Sequence, residues 1–168
     1  MKKGFTIIEL LVAMSIFIIV TGLVVANFRR GARSDELRIA ATGLASTLRR
    51  AQTMALAGVQ VNGELPAGGY GVHVSISEPS RYIIFTSNDL LYNSGEELAG
   101  GIIFLPSNIV IEEVSLTPLS VVFKPPKPTI YINGGTSENL VMITLKDSIS
   151  DQTRKVTVNR ISGQISVE

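Results

Sequence analysis

An apolar run from Phe5 to Phe28, FTIIELLVAMSIFIIVTGLVVANF, sets the first limit on this chain, and Glu9 is its only formal charge. As an α-helix the run would be about 36 Å long, enough for a hydrocarbon core of about 30 Å. Lys2 and Lys3 stand just before it. Short positive flanks stay in the cytoplasm, so the run reads as a single-pass span with its N-terminus inside and the remaining chain outside.

Three readings compete for it. A secretory signal has a basic start, but its apolar region is about 7 to 15 residues long and carries no acid. Val24 and Ala26 would offer a peptidase only a poor cleavage rule. A permanent anchor explains the length and leaves Glu9 unexplained, since a carboxylate costs about 2.5–3.5 kcal/mol at a helix centre in lipid and less near an end. The third reading accounts for Glu9 as well. Gly4-Phe5-Thr6-Ile7-Ile8-Glu9-Leu10-Leu11-Val12 closely resembles the class III signal of the type IV pilin superfamily.

The resemblance implies that prepilin peptidase cuts between Gly4 and Phe5, that the new Phe5 amine is N-methylated, and that the apolar helix stays on the mature protein. Methylation keeps the cationic charge on Phe5. It also implies a partner for Glu9: the Phe5 ammonium of a neighbouring subunit, in a water-poor filament core where an unpaired carboxylate is expensive. Such a pair would set axial register. The partners implied are membrane lipid before assembly, an inner-membrane assembly platform, and other pilin or pseudopilin subunits. The globular part would lie in the periplasm or outside the cell.

The 168 residues suffice for one membrane helix and one compact domain. A formal net charge of +1 points neither to nucleic acid nor to an anionic surface. With no cysteine, neither a disulfide framework nor a thiolate metal site is available, and nothing calls for a cofactor.

Beyond the run, Arg29, Arg30 and Arg33 suit an interface or water. Ser34 can cap a helix, with Asp35 and Glu36 in its first turn. Leu37, Ala41, Leu44, Leu48, Ala51 and Ala55 then recur at helical spacing, which predicts one face buried on a globular domain. Gly22, Gly31 and Gly43 each cost about 1 kcal/mol relative to alanine, so the expected element is one long helix, curved or locally loosened near Gly22 or Gly31.

Gly58 to Gly71 reads as a loop. Short strand-like runs follow at Tyr70–Ile76, Arg81–Thr86, Ile109–Val114, Ser120–Phe123, Thr129–Ile132, Leu140–Leu145, Lys155–Val158 and Gln164–Val167. Their spacing predicts hairpins and a mainly antiparallel sheet, with a terminal hairpin around Ser162-Gly163. The expected class is α+β, a pilin-like fold in which a long helix packs on the sheet. The expected division is 1–4 leader, 5–28 transmembrane and filament-core helix, 29–60 outer half of the helix, and 61–168 β-rich domain.

Arg49-Arg50-Ala51-Gln52, Ser87-Asn88-Asp89 leading to Gly95-Glu96-Glu97-Leu98, and Ile161-Ser162-Gly163-Gln164-Ile165 resemble the GspH/FimT group of minor pilins and pseudopilins. Pro125-Pro126-Lys127-Pro128 and Gln164 depart from that pattern. His73, the only histidine, sits in a strand pattern with no acid partner in view, and no Gly-x-Ser-x-Gly elbow occurs, so an enzyme is not expected. Asp89, Asn93 and Glu96 are the candidates for calcium, although their spacing lacks the alternating acids and glycine of the twelve-residue loop. A solvated loop is the competing reading. Arg154, Lys155 and Arg160 are the candidates for DNA contact, in the region where relatives active in natural transformation carry such residues. Asp147, Asp151 and Glu168 dilute their field, and nucleic acid is not the expected partner. The expected role is a minor pilin or pseudopilin of a type IV pilus or type II secretion pseudopilus, with a major pilin, a DNA-binding minor pilin in natural transformation and a simple membrane-anchored β-rich binding domain as alternatives.

Overall fold

The computed structural model describes residues 6–127 and 129–168, with the side chains of residues 26–32 outside the description. One helix, α1 (Ile7–Ala57), precedes nine strands: β1 (Gly69–Val74), β2 (Arg81–Ser87), β3 (Glu97–Phe104), β4 (Ile109–Val114), β5 (Leu119–Lys124), β6 (Thr129–Ile132), β7 (Leu140–Asp147), β8 (Thr153–Asn159) and β9 (Ile165–Val167). The class is α+β, as expected. Contacts divide the chain into two units, Met1–Asp35 and Glu36–Glu168.

Helical structure passes through Gly22, Gly31 and Ser34 without interruption. Ser34 therefore lies inside the one long helix and caps nothing, which corrects its reading as a cap. The glycine cost of about 1 kcal/mol per site is small beside the continuous run of helix-compatible residues around each one.

In the second unit, Leu37, Ala41, Leu44, Leu48, Ala51 and Ala55 are each 1% exposed or less. This stripe enters a single apolar core with Tyr70, Val72, Ile84 and Phe123 from one sheet and Ile111, Ile143, Leu145 and Val156 from another. Small alanines between the leucines let backbone approach backbone, and the alternating strand residues supply the bulk.

The strands form two sheets, ordered β3-β2-β1-β5-β6 and β4-β7-β8-β9, rather than the one sheet expected. Every ladder is antiparallel. The division follows from two non-sequential pairings: β5 returns to β1, with Tyr70 opposite Phe123, and β4 pairs with β7, with Val114 opposite Ile143. The sequence reading also passed over β3. Gly100-Gly101 interrupts its alternation, and the structure absorbs the interruption as an irregularity in the pairing with β2 between Ile83 and Phe85.

Asp147 ends β7 and is fully buried. Its carboxylate accepts hydrogen bonds from the Ser150 hydroxyl at 2.6 Å and the Ile149 amide at 3.0 Å, closing the β7–β8 turn. Those two bonds, Ser150's foremost, hold its carboxyl below the ordinary range. A depressed carboxyl stabilises the fold above its ordinary titration range, and that contribution is lost as pH falls toward the depressed value. Asp147→Asn should therefore lower the urea midpoint near neutrality, with the gap to the parent closing below about pH 4. A gap equally wide in acid would show that the ionised carboxylate contributes nothing.

Candidate processing and assembly site

α1 opens with Thr6 as its cap. The Glu9 carboxylate accepts from the Thr6 amide at 2.9 Å and the Thr6 hydroxyl at 2.8 Å, while the Glu9 amide donates to the Thr6 hydroxyl at 3.3 Å. This is a reciprocal capping box, in which two backbone donors left over at the helix start are satisfied by each other's side chains. The signal was present in the sequence as Thr-x-x-Glu ahead of an apolar run, yet the sequence reading assigned Thr6 no role.

Two consequences follow for Glu9. Within one chain its carboxylate is already hydrogen-bonded, so carrying it among apolar neighbours costs less than an orphan would. It remains exposed, beside a shallow groove formed by Ile8, Val12, Ala13 and Ile16. From Ile7 to Val25 the helix is long and apolar enough to cross a membrane, and none of it is buried within the chain. Ser15, the other polar side chain of its first turns, donates to the Leu11 carbonyl at 2.8 Å and so exposes no unsatisfied hydroxyl proton. Gly4 and Phe5, where cleavage and methylation were expected, lie outside the described residues.

Asp89, Asn93 and Glu96 do come together, but the Asn93 side-chain amide stands between the acids. Its Nδ2 donates to both Asp89 oxygens at 3.3 and 3.2 Å and to Glu96 Oε2 at 3.3 Å. The arrangement closes the β2–β3 loop on itself. The carboxyl of Asp89 is held low, first by the Leu91 amide and then by Asn93.

Arg154, Lys155 and Arg160 do not converge. The first two are consecutive in β8, opposite Leu145 and Thr144, and so face opposite sides of the sheet. Arg160 donates to the Glu138 carbonyl at 2.9 Å and to Asn139 Oδ1 at 2.8 Å.

His73 sits on the face of β1 away from the main core. Its Nδ1 lies 3.0 Å from the Ser120 hydroxyl and its ring stacks on Tyr92 with centroids 4.3 Å apart. Burial lowers its pKa against the opposing pull of Glu78. Tyr92 in turn donates to Glu97 at 2.5 Å, and its own pKa is pushed up to about 12 by burial first and by that carboxylate second. The Ser120 hydroxyl that His73 touches is buried, and the stacked imidazole and phenol pack together on the sheet.

Residues 1–25 match the family described as the prokaryotic N-terminal methylation motif. No curated protein and no solved structure matches the chain. The motif belongs to type IV pilin-like proteins, a structural rather than enzymatic class, and it implies processing by prepilin peptidase and assembly with other pilin subunits. In its first 25 residues, which include the exposed apolar helix from Ile7 to Val25, this chain carries the type IV prepilin signature.

Proposed function

We propose that the chain is a minor pilin or pseudopilin, a subunit of a type IV pilus or of a type II secretion pseudopilus. In this reading residues 1–4 are a leader removed by prepilin peptidase between Gly4 and Phe5, and Phe5 is then N-methylated. Residues 5–28 sit in the inner membrane until assembly and in the filament core afterwards. Residues 29–60 are the outer half of the helix, and residues 61–168 form a β-rich domain outside the cytoplasm.

The observation that carries it is one carboxylate, Glu9, exposed on a helix whose residues from Ile7 to Val25 are otherwise without charge. An anchor could use the Glu9 side chain only to cap the helix on Thr6, for which an uncharged glutamine would serve as well. A filament uses the charge itself, because the Phe5 ammonium of the next subunit can pair with it in a dry core and set the axial step. Head-to-tail contacts of this kind do not close into a ring and so propagate a helical polymer.

Mass spectrometry of the mature protein tests processing. The expected N-terminus is Phe5, heavier by about 14 Da for a single methyl group. A mature protein that keeps Met1 to Gly4 would return the chain to the plain-anchor reading. Quantifying its copies relative to other subunits in purified filaments separates minor from major pilin: scarcity supports the proposal, and a dominant share overturns its minor-subunit part.

A further inference from the structure

The sequence contains two Asn-Gly pairs, Asn62-Gly63 and Asn133-Gly134, and both form the same turn. Asn62 and Gly63 have φ of 55° and 84°, and Asn133 and Gly134 have 48° and 75°. These are left-handed values at both central positions, as a type I′ turn requires. Each turn is closed by reciprocal backbone bonds, Val61 with Glu64 at 2.9 and 3.1 Å and Ile132 with Gly135 at 2.9 Å both ways. Covalent structure and backbone geometry are thus matched.

The side chains are not. The Asn133 carboxamide is pinned at both ends: Oδ1 accepts from the Ser120 amide at 2.7 Å and Nδ2 donates to the Pro118 carbonyl at 2.9 Å. A Cβ added at Gly134 would lie 3.4 Å from Leu91, so that turn is also packed against a neighbour. Asn62 and Gly63 are both exposed. No hydrogen bond restrains the Asn62 side chain among the described residues, and nothing lies within 4 Å of a Cβ placed at Gly63. Both closing bridges are isolated, but Ile132 also pairs with Val121 in the β5–β6 ladder, whereas Val61 belongs to no strand, so the Val61–Glu64 turn can open without disturbing a ladder.

We propose that Asn62 is a site of spontaneous deamidation and that Asn133 is protected from it. The Gly63 backbone nitrogen, losing its proton to water, attacks the Asn62 side-chain carbonyl carbon. A new C–N bond closes a five-membered succinimide, the bond to the side-chain nitrogen breaks, and that nitrogen leaves as ammonia with a proton from water. Water then adds to either imide carbonyl and opens the ring to aspartate or isoaspartate. No redox step and no cofactor is involved. Glycine allows the attack because it has no side chain in the way. The turn conformation must open before the nitrogen and carbonyl meet, and this is where the two sites part. At Asn133 opening also breaks two hydrogen bonds, each with a net worth of about 0.5–1.5 kcal/mol, which slows reaction by about tenfold or more. The product at Asn62 is a new carboxylate two residues from Glu64, in the connection between α1 and β1. For isoaspartate the turn also gains a backbone methylene.

The full chain in detergent, aged at mildly alkaline pH, tests this by peptide mapping and by enzymatic methylation of isoaspartate. The peptide bearing Asn62 should gain one mass unit and accept methyl groups about tenfold or more faster than the peptide bearing Asn133. In concentrated urea the two rates should converge, because the covalent neighbourhood is the same. Asn62→Gln should remove the fast component while leaving the slow one. Equal rates in the folded protein, or a difference that persists in urea, would overturn the assignment.

Discussion

Glu9→Ala is expected to abolish entry of the subunit into filaments while leaving cleavage after Gly4 and the folded state of residues 36–168 intact. Two separate losses contribute. Alanine removes the capping box with Thr6, worth about 0.5–2 kcal/mol of local helix stability, and it removes the only formal charge on the helix from Ile7 to Val25. Glu9→Gln divides them. Glutamine still presents an oxygen to the Thr6 amide and hydroxyl, so it keeps the cap and loses the charge. If the charge sets register by meeting a neighbouring amine, Gln fails as completely as Ala. Thr6→Ala, which loosens the cap and keeps the charge, assembles at reduced efficiency. Immunoblots of sheared filaments against whole-cell protein give the readout. Normal assembly of the Gln variant would leave Glu9 as a helix cap and end the register account.

Leu44→Ala should carry one of the largest stability costs of any single truncation on α1, with Leu48 equally buried in the same core. Leu44 has no exposed surface and stands mid-stripe in the core shared by α1 and both sheets. Truncation loses the transfer energy of three carbons and leaves a cavity that a helix held along its length cannot close. The expected cost is about 2–5 kcal/mol, a large share of the about 5–15 kcal/mol that usually holds a domain together. Ile39 is the control. It lies on the same helix but is 68% exposed, so Ile39→Ala should fall within about 0.5 kcal/mol of the parent. Urea unfolding of both, with the slope unchanged, measures the difference. Equal costs would mean that the stripe is not what joins the helix to the sheets.

These expectations also mark where local pattern was sufficient. The stripe from Leu37 to Ala55 was legible because helical period and burial coincide on one face, and the terminal hairpin β8–β9 because Ser162-Gly163 supplies a turn between two β-branched runs. The antiparallel class followed from connections too short for crossovers. β3 was missed because two adjacent glycines erase the alternation that identifies a strand, although the backbone can still pair around them. The candidate DNA cluster looked compact as a list of nearby basic residues. Its geometry is set by strand alternation and by the Glu138–Asn139 acceptors that occupy Arg160.

The sequence alone determined the membrane-length helix, its single carboxylate, the processing motif and the α+β class, since each rests on residues near one another in the chain. Tertiary structure decided that there are two sheets rather than one, that β5 returns to β1 while β4 pairs with β7, and that of two identical Asn-Gly turns only one is pinned. Those outcomes depend on which distant backbone groups find each other across an apolar core, and nothing in a run of a dozen residues encodes that choice.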